Sequence, residues 1–339
     1  MFCLKTKGHG MFKYLVFAIS LMFVSSANSM DMYVGANTGN TYSLYAGAFA
    51  KVFEKHIKEK VIVKNLPGAG GLILYKRMNN EELTPPNGNT IAMIPSQLIF
   101  QQIAMMRVGD KNAIDPSKFK WIGSLSSDNT ILVVNKQSGI KTVQDLKTKP
   151  VLFAGTGAAH DAVIMGKILT ESIPLKNAKV VQGYKSFGKI YLALERNEVN
   201  SIALMTLDTL LYQRTEKYNN GEIVPIVQYS RGRDDRIKNV PSVYEILSSE
   251  KDKRLVEYLT TPFVINRTIF TSRNVDPGKL KQIRLAFSKT VLDPEYIKIV
   301  DKFKLGNHPR SGFEVEKIIS DSISVDKDIA KRYMIVRSQ

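Results

Sequence analysis

The stretch Val61-Ile62-Val63-Lys64-Asn65-Leu66-Pro67-Gly68-Ala69-Gly70-Gly71 places three glycines in four positions behind a short β-branched run. The run suits a strand, Pro67 ends it, and the glycines allow positive φ and leave backbone N–H groups bare. Leu72 to Met78 follows with helix spacing, with Leu74 and Met78 on one face and Tyr75 near it. A strand, a glycine turn and a helix start aim unpaired amides and the positive end of a helix dipole at one point, which is chemistry for an anion. A turn that only packs a helix onto its strand has the same signature, so context must choose. A second junction of this type, Gly155-Thr156-Gly157-Ala158-Ala159-His160-Asp161, lies between the strand Val151 to Ala154 and a helix through Ile168. Its repetition of the glycine chemistry favours ligand contact over a plain turn.

Other chemistry is sparse. His160 and Asp161 are adjacent, but a catalytic pair needs a nucleophile beside an oriented base, and no G-x-S-x-G elbow occurs. A polar contact at a helix start is the better reading of His160. Beyond the first 29 residues the histidines are His56, His160 and His308, without metal-ligand spacing, so neither a metal site nor a cofactor is expected. His56 falls on the inner edge of the first helix and reads as a packing residue, and Trp121 reads as core. Arg231 to Arg236 is interrupted by Asp234 and Asp235, and the basic residues do not interleave with aromatics, so no nucleic-acid partner is expected.

The elements that hold these residues alternate strand and helix from Met32 onward, which argues for mostly parallel sheets covered by helices. Met32 to Ala36 is a first strand, and the loop Asn37 to Thr41 leads to a helix with Tyr45, Phe49, Val52, Phe53, His56 and Ile57 inward, capped by Thr41 or Ser43. After the turn cluster Pro85 to Asn89, Thr90 to Ile94 is a third strand that breaks at Pro95-Ser96-Gln97 before another helix. Three strands thus end in polar loops that open helices, and in an open α/β sheet those ends share the edge where ligands bind. The segment from Asp115-Pro116 leads into the strand Thr130 to Val134, and after Thr142 to Leu146 a second block begins at the strand Val151 to Ala154. It continues with Lys179 to Val181, the helix Phe187 to Glu195, Ser201 to Met205, a helix from Asp208, and Ile223 to Tyr229. Phe263 to Thr271 reads as a strand, Pro277 to Leu292 as a long helix, and shorter helices around Tyr296 and Val315 close the chain.

Lys5, Lys7 and Lys13 precede the apolar run Tyr14 to Val24, and small residues follow at Ala27 and Ser29. That is the plan of a secretory leader, complete already from Met11, with cleavage expected near Ser29 and export to the periplasm. Residues 1–29 carry three lysines, no acid and Cys3, the only cysteine. The mature chain then keeps 45 basic against 31 acidic side chains, about +14, and can hold neither a thiolate metal site nor a cysteine nucleophile.

In order and spacing these motifs resemble the Bug-type periplasmic solute-binding receptors of tripartite tricarboxylate transporters. Asn65-Leu66-Pro67-Gly68-Ala69-Gly70-Gly71 is similar to that family's N-x-P-G-A-G-G turn. Asp115-Pro116 with Phe119, Trp121, Ile122 and Gly123 resembles the segment before its crossover. Leu132-Val133-Val134, Thr142-Val143 with Leu146, the Gly155 to Ala158 loop with Asp161, Gly183-Tyr184-Lys185, Ala193 to Arg196 and Asp293-Pro294 continue the likeness over nearly all of the mature chain. The resemblance implies a two-lobed fold of the type II periplasmic binding protein kind, each lobe a mostly parallel sheet covered by helices, with the ligand cleft between lobes. It implies residues 1–29 as leader, 30–138 plus 258–339 as the first lobe and 139–257 as the second. It further implies a carboxylate ligand held by backbone amides and waters, membrane permease subunits as partners, a monomer, and no enzymatic activity. Ser43 and Gly47 depart from the acid and arginine common in the family's first loop, which bears on ligand identity.

The expected ligand-binding set is Thr38, Gly39, Asn40, Thr41, Ser43, the amides of Gly68, Ala69, Gly70 and Gly71, and Ser96 with Gln97 from the first lobe. The second lobe adds Gly155, Thr156, Gly157, Ala158, Ala159, His160 and Asp161, with Tyr184, Lys185 and Asp208. Helix termini contribute about 0.3–2 kcal/mol each and charge-assisted hydrogen bonds about 1.5–3, so four or five contacts exceed the roughly 8 kcal/mol of a micromolar complex. The expected function is a receptor for a small organic anion, a carboxylate or acidic amino acid. A secreted two-lobed α/β enzyme acting on such a metabolite, or a sensory receptor for it, would use similar residues.

Overall fold

The computed structural model describes residues 29–84, 89–175 and 177–339. The expected leader, up to Asn28, and most of the turn Pro85 to Asn89 lie outside the described residues. Among the described residues eleven strands form two sheets. The first is built from β1 (Ser29–Val34), β2 (Lys60–Asn65), β3 (Thr90–Ile94) and β4 (Lys120–Ser126). The second takes β5 (Thr130–Asn135), β6 (Val151–Ala154), β7 (Ala178–Val181), β8 (Ser201–Thr206) and β9 (Ile223–Gln228). The chain then returns to the first sheet with β10 (Asn266–Thr271) and the short β11 (Arg310–Ser311).

The strand orders are β11-β4-β10-β3-β1-β2 and β7-β6-β8-β5-β9. In each sheet the strand that follows a crossing runs against its neighbours: β10 is antiparallel to β3 and β4, and β5 is antiparallel to β8 and β9. The other principal strands of each sheet share one direction, so both sheets are mostly parallel, and β3 and β5 are buried along their whole length, as strands covered on both faces are. Aromatic side chains fill the first lobe on both sides of its sheet. Tyr75, Phe119, Trp121 and Phe270 cluster on one side, and Phe49, Phe53, Phe287 and Tyr296 on the other.

Pairing moves the expected lobe boundaries. β5 belongs to the second sheet, so the first crossing is the segment 127–129 and not Gly139. The return also falls later than residue 258. Phe263 and Val264 end a helix, Glu250–Val264, and do not begin a strand. That helix packs against Ser96–Arg107 of the first lobe and Asp161–Ser172 of the second. The C-terminal helix Lys327–Ser338 lies on the same three helices, with Tyr333 against Tyr258 at 5.3 Å between ring centroids. Two helices therefore join the lobes in addition to the crossing strands.

Two local expectations change as well. The cap of the helix Thr41–Ile57 is Asn40, whose side chain accepts from the Ser43 N–H at 3.1 Å, and not Thr41 or Ser43. His56 is not buried packing: its Nε2 meets Asp293 Oδ2 at 2.9 Å at the margin of the core. Trp121 is core, as its apolar strand position implies.

Candidate functional site

A cleft of about 470 Å³ separates the two lobes. Its first-lobe wall comes from the start of the helix Thr41–Ile57 (Asn40, Thr41, Tyr42), the end of β3 (Pro95, Gln97) and the start of β10 (Asn266, Arg267). The second-lobe wall comes from the start of the helix Asp161–Ser172 (His160, Asp161, Ala162), from Phe187 and Tyr191 on one helix face, and from Leu204, Met205 and Thr206 at the end of β8. Thr209 and Gln213, from a π-helical turn after β8, and Phe263 of the joining helix complete it. Such single π turns recur at functional sites because they displace side chains from the regular helical pattern.

On the first wall the helix Ser96–Arg107 begins without a side-chain cap; the Leu98 N–H is used by the Pro95 carbonyl at 3.0 Å, and the Ser96 and Gln97 amides take no side-chain cap. Tyr42 donates its hydroxyl to Asn266 Oδ1 at 3.2 Å, and the same oxygen accepts the Arg267 backbone N–H at 3.0 Å. Burial pushes the Tyr42 hydroxyl up to about 12, so it stays a neutral donor. Arg267 holds a left-handed backbone, φ +57°, unusual for a bulky residue and of the kind retained where surroundings dictate it. Its guanidinium donates to Ser126 Oγ at 2.7 Å and lies 4.4 Å from the Tyr45 ring centre. Its Nε is buried without a partner, and among the described residues no carboxylate lies within ion-pair distance of it.

The second wall mixes apolar and aromatic side chains with His160, Asp161, Thr206, Thr209 and Gln213. The helix Asp161–Ser172 also starts without a side-chain cap, so the polar contact expected of His160 at this helix start does not form. The His160 ring lies 5.1 Å from the Phe187 ring, its Nδ1 is buried and unpaired, and burial pulls its pKa down to about 4. The imidazole is thus neutral near pH 7. Burial pushes Asp161 up to about 6, opposed by Arg337, whose guanidinium is 3.9 Å away. Tyr191 stands between Phe187, at 5.7 Å, and the Arg214 guanidinium, at 4.3 Å.

Of the residues expected from sequence, Asn40, Thr41, Gln97, His160 and Asp161 line this cleft. The others do not. Thr38 and Gly39 are exposed on the loop before Asn40. Ser43 braces that loop: its hydroxyl donates to the Asn37 carbonyl at 3.0 Å and accepts from Asn65 Nδ2 at 2.6 Å. Ser96 is fully buried, with its hydroxyl 2.6 Å from the Ile265 carbonyl and 2.7 Å from Thr268 Oγ1.

The glycine corners stand behind the walls. Gly68, Ala69, Gly70 and Gly71 all take positive φ, and a Cβ on Gly71 would come within 3.0 Å of the Pro95 ring. The Gly71 N–H is already used by the Gly68 carbonyl at 2.9 Å. Gly155 packs under His160 and Val163, and the Gly155 N–H bonds the Val181 carbonyl at 2.9 Å. Thr156, Gly157, Ala158 and Ala159 continue the turn outside the lining, and Tyr184 and Lys185 lie on a separate loop with Lys185 exposed. Asp208 is turned away, paired with Arg236 at 2.8 Å and pressed against Gly306 of the first lobe.

Sequence reasoning missed Tyr42, Pro95, Ala162, Phe187, Tyr191, Leu204, Met205, Thr206, Thr209, Gln213, Phe263, Asn266 and Arg267. The end of β8 follows the same edge rule as β3, and applying that rule to every strand would have found Leu204 to Thr206. Arg267 carried no local signal, since its place depends on where the chain re-enters the first sheet.

A larger cavity, about 580 Å³, runs along the crossing segment from Ser127 to Thr130. Its arginines are already engaged: Arg233 with Glu245, Arg236 with Asp234 and Asp208, and Arg310 with the Val264 carbonyl and Glu314. The cleft beside Arg267 differs in holding a guanidinium nitrogen, Nε, without a partner.

The structure is similar to the solute-binding protein described as TctC from Polaromonas, determined without ligand (17% identity, TM-score 0.67, 89% of this chain and 98% of that one). It is also similar to MatC from Rhodopseudomonas palustris with bound malate (16%, TM-score 0.62, 89% and 99%) and to R. palustris Rpa4515 with adipate (14%, TM-score 0.62, 90% and 97%). In sequence it is 22% identical over 318 residues to the Cupriavidus necator "UPF0065 protein in gbd 5'region", covering 90% of this chain and 88% of that protein. These likenesses show the two-lobed periplasmic binding protein fold. The family model described as tripartite tricarboxylate transporter family receptor, TctC, matches residues 46–334, and the chain belongs to that receptor family.

Proposed function

We propose that this receptor is exported, captures a small organic carboxylate in the interlobe cleft, and presents it to the permease of a tripartite transporter. The observation that carries the reading is the convergence on one cleft of two helix starts without side-chain caps, at Ser96 and Asp161, and of Arg267, whose Nε has no partner. Uncapped helix starts and a half-buried cation with no carboxylate at ion-pair distance suit a carboxylate, and the charge-assisted bonds they make are the strong ones. The relatives solved with malate and adipate support the ligand class. The receptor works as a monomer after its leader is cut near Ser29; among the described residues no helix is long and apolar enough to cross a membrane.

Binding would draw both walls onto the ligand, and the shift toward the closed form can be no larger than the ligand's preference for it. Membership of a receptor family supports a receptor rather than an enzyme. Native mass spectrometry of freshly purified protein tests the reading: a copurified carboxylate that raises Tm on re-addition and is recovered intact supports it. Conversion of that compound, or saturable binding only of cations or sugars, contradicts it. N-terminal sequencing of exported protein should begin near Met30, and retained Lys13 would contradict cleavage.

A further inference from the structure

The composition of the cleft carries the ligand class one step further, on the premise that it binds a carboxylate. We infer that the preferred ligand is a monocarboxylate with an apolar body, its carboxylate on Arg267 and its body against Phe187, Tyr191, Leu204 and Met205. Arg267 is the only cation that lines the cleft among the described residues. The other ionisable groups there are Asp161, an acid, and His160, held neutral by burial. Arg214 of the second lobe is stacked on the Tyr191 ring and is not part of the lining. A second carboxylate reaching across from Arg267 would therefore find no second cation in the lining, only aromatic and aliphatic side chains, the neutral groups of Thr206, Thr209 and Gln213, the uncapped helix start, and the Asp161 carboxyl with Arg337 at 3.9 Å behind it. Burying an unpaired charge there is unfavourable, whereas an apolar chain gains from leaving water. Specificity thus comes from a wall without a lining cation as much as from the attractive one.

Hexanoate and adipate test this as a matched pair, because they share a six-carbon chain and differ by one carboxylate. Isothermal titration near pH 7.5 on the full mature chain should show hexanoate binding at least tenfold more tightly than adipate. Arg267→Gln, with its fold checked by circular dichroism, should weaken hexanoate at least tenfold, and Asp161→Asn should narrow the gap between the two acids. Met205→Glu should weaken hexanoate through the other wall. Adipate binding as tightly as hexanoate, or Arg267→Gln keeping hexanoate affinity within twofold, overturns this inference alone. Saturable binding of neither acid by a protein that purifies without any carboxylate overturns it together with the carboxylate reading.

Discussion

Gly155→Ala is the substitution whose consequence the structure determines most closely. A Cβ on Gly155 would sit 2.1 Å from Val163 Cγ2 and 3.4 Å from Val163 Cβ, and Val163 is fully buried. A β-branched side chain in a helix has one favoured χ1, so Val163 cannot swing aside, and the clash must move the helix Asp161–Ser172. Overpacking of this kind costs about 1–3 kcal/mol. The displaced helix carries His160 and Asp161 in the cleft wall, so ligand affinity falls with stability. Urea unfolding followed by circular dichroism reads the first effect and titration the second. Val163→Ala removes the clashing methyl, so in that background Gly155→Ala should cost less, with a coupling of about 1 kcal/mol or more. Gly157→Ala is the control, because its Cβ would meet nothing within 4 Å. An unchanged urea midpoint for Gly155→Ala, or strict additivity with Val163→Ala, would refute the packing account.

Further outcomes concern pH and the lobe contacts. Burial lowers the His160 pKa from 6.5 to about 4, so His160 stabilises the fold fully above pH 6.5 and loses that contribution as pH falls toward 4. His160→Gln should therefore gain on the wild type by roughly 2–3 kcal/mol between pH 7.5 and 4.5 in parallel urea titrations. Asp161 has the opposite sign: its folded pKa is raised to about 6, so its contribution is present below pH 3.8 and lost as pH rises through 6. Asp161→Asn should gain on the wild type from pH 4 to pH 7.5, and a flat difference would contradict its burial. Asn40→Ala removes the cap on the Ser43 N–H and should lower stability by about 1 kcal/mol, with Asn40→Asp largely retaining it by thermal melting. A Cβ on Gly306 would lie 1.9 Å from Asp208 Oδ2 across the lobe contact, so Gly306→Ala should favour a more open arrangement, seen as a larger radius of gyration in X-ray scattering and weaker binding.

The alternation of apolar runs and glycine or polar junctions made the two α/β lobes readable, since each run is a buried strand or a helix stripe with its own local signature. The helix Glu250–Val264 was not readable: it opens on alternating charges and contains Thr260, Thr261 and Pro262, whose propensities oppose a helix that packing on both lobes nevertheless holds. The lobe boundary was misplaced for a similar reason, because β5 is an ordinary apolar strand and only its partners assign it to the second sheet. At the site, the helix starts at Asn40, Gln97 and Asp161 were legible, as edge positions of strand-turn-helix units. The glycines beside them were read as donors, whereas their backbone freedom serves close packing under Pro95 and His160. The apolar wall and Arg267 come from helix faces and a re-entry point, which have meaning only once the lobes are assembled.

Hydrogen–deuterium exchange with and without a bound carboxylate tests the central claim most directly. Binding between the lobes predicts slowed exchange on both walls at once, over 40–42 and 96–98 in the first lobe and 161–164 and 204–209 in the second. Protection confined to one lobe, or centred on 127–130 and 230–236 around the larger cavity, would contradict it.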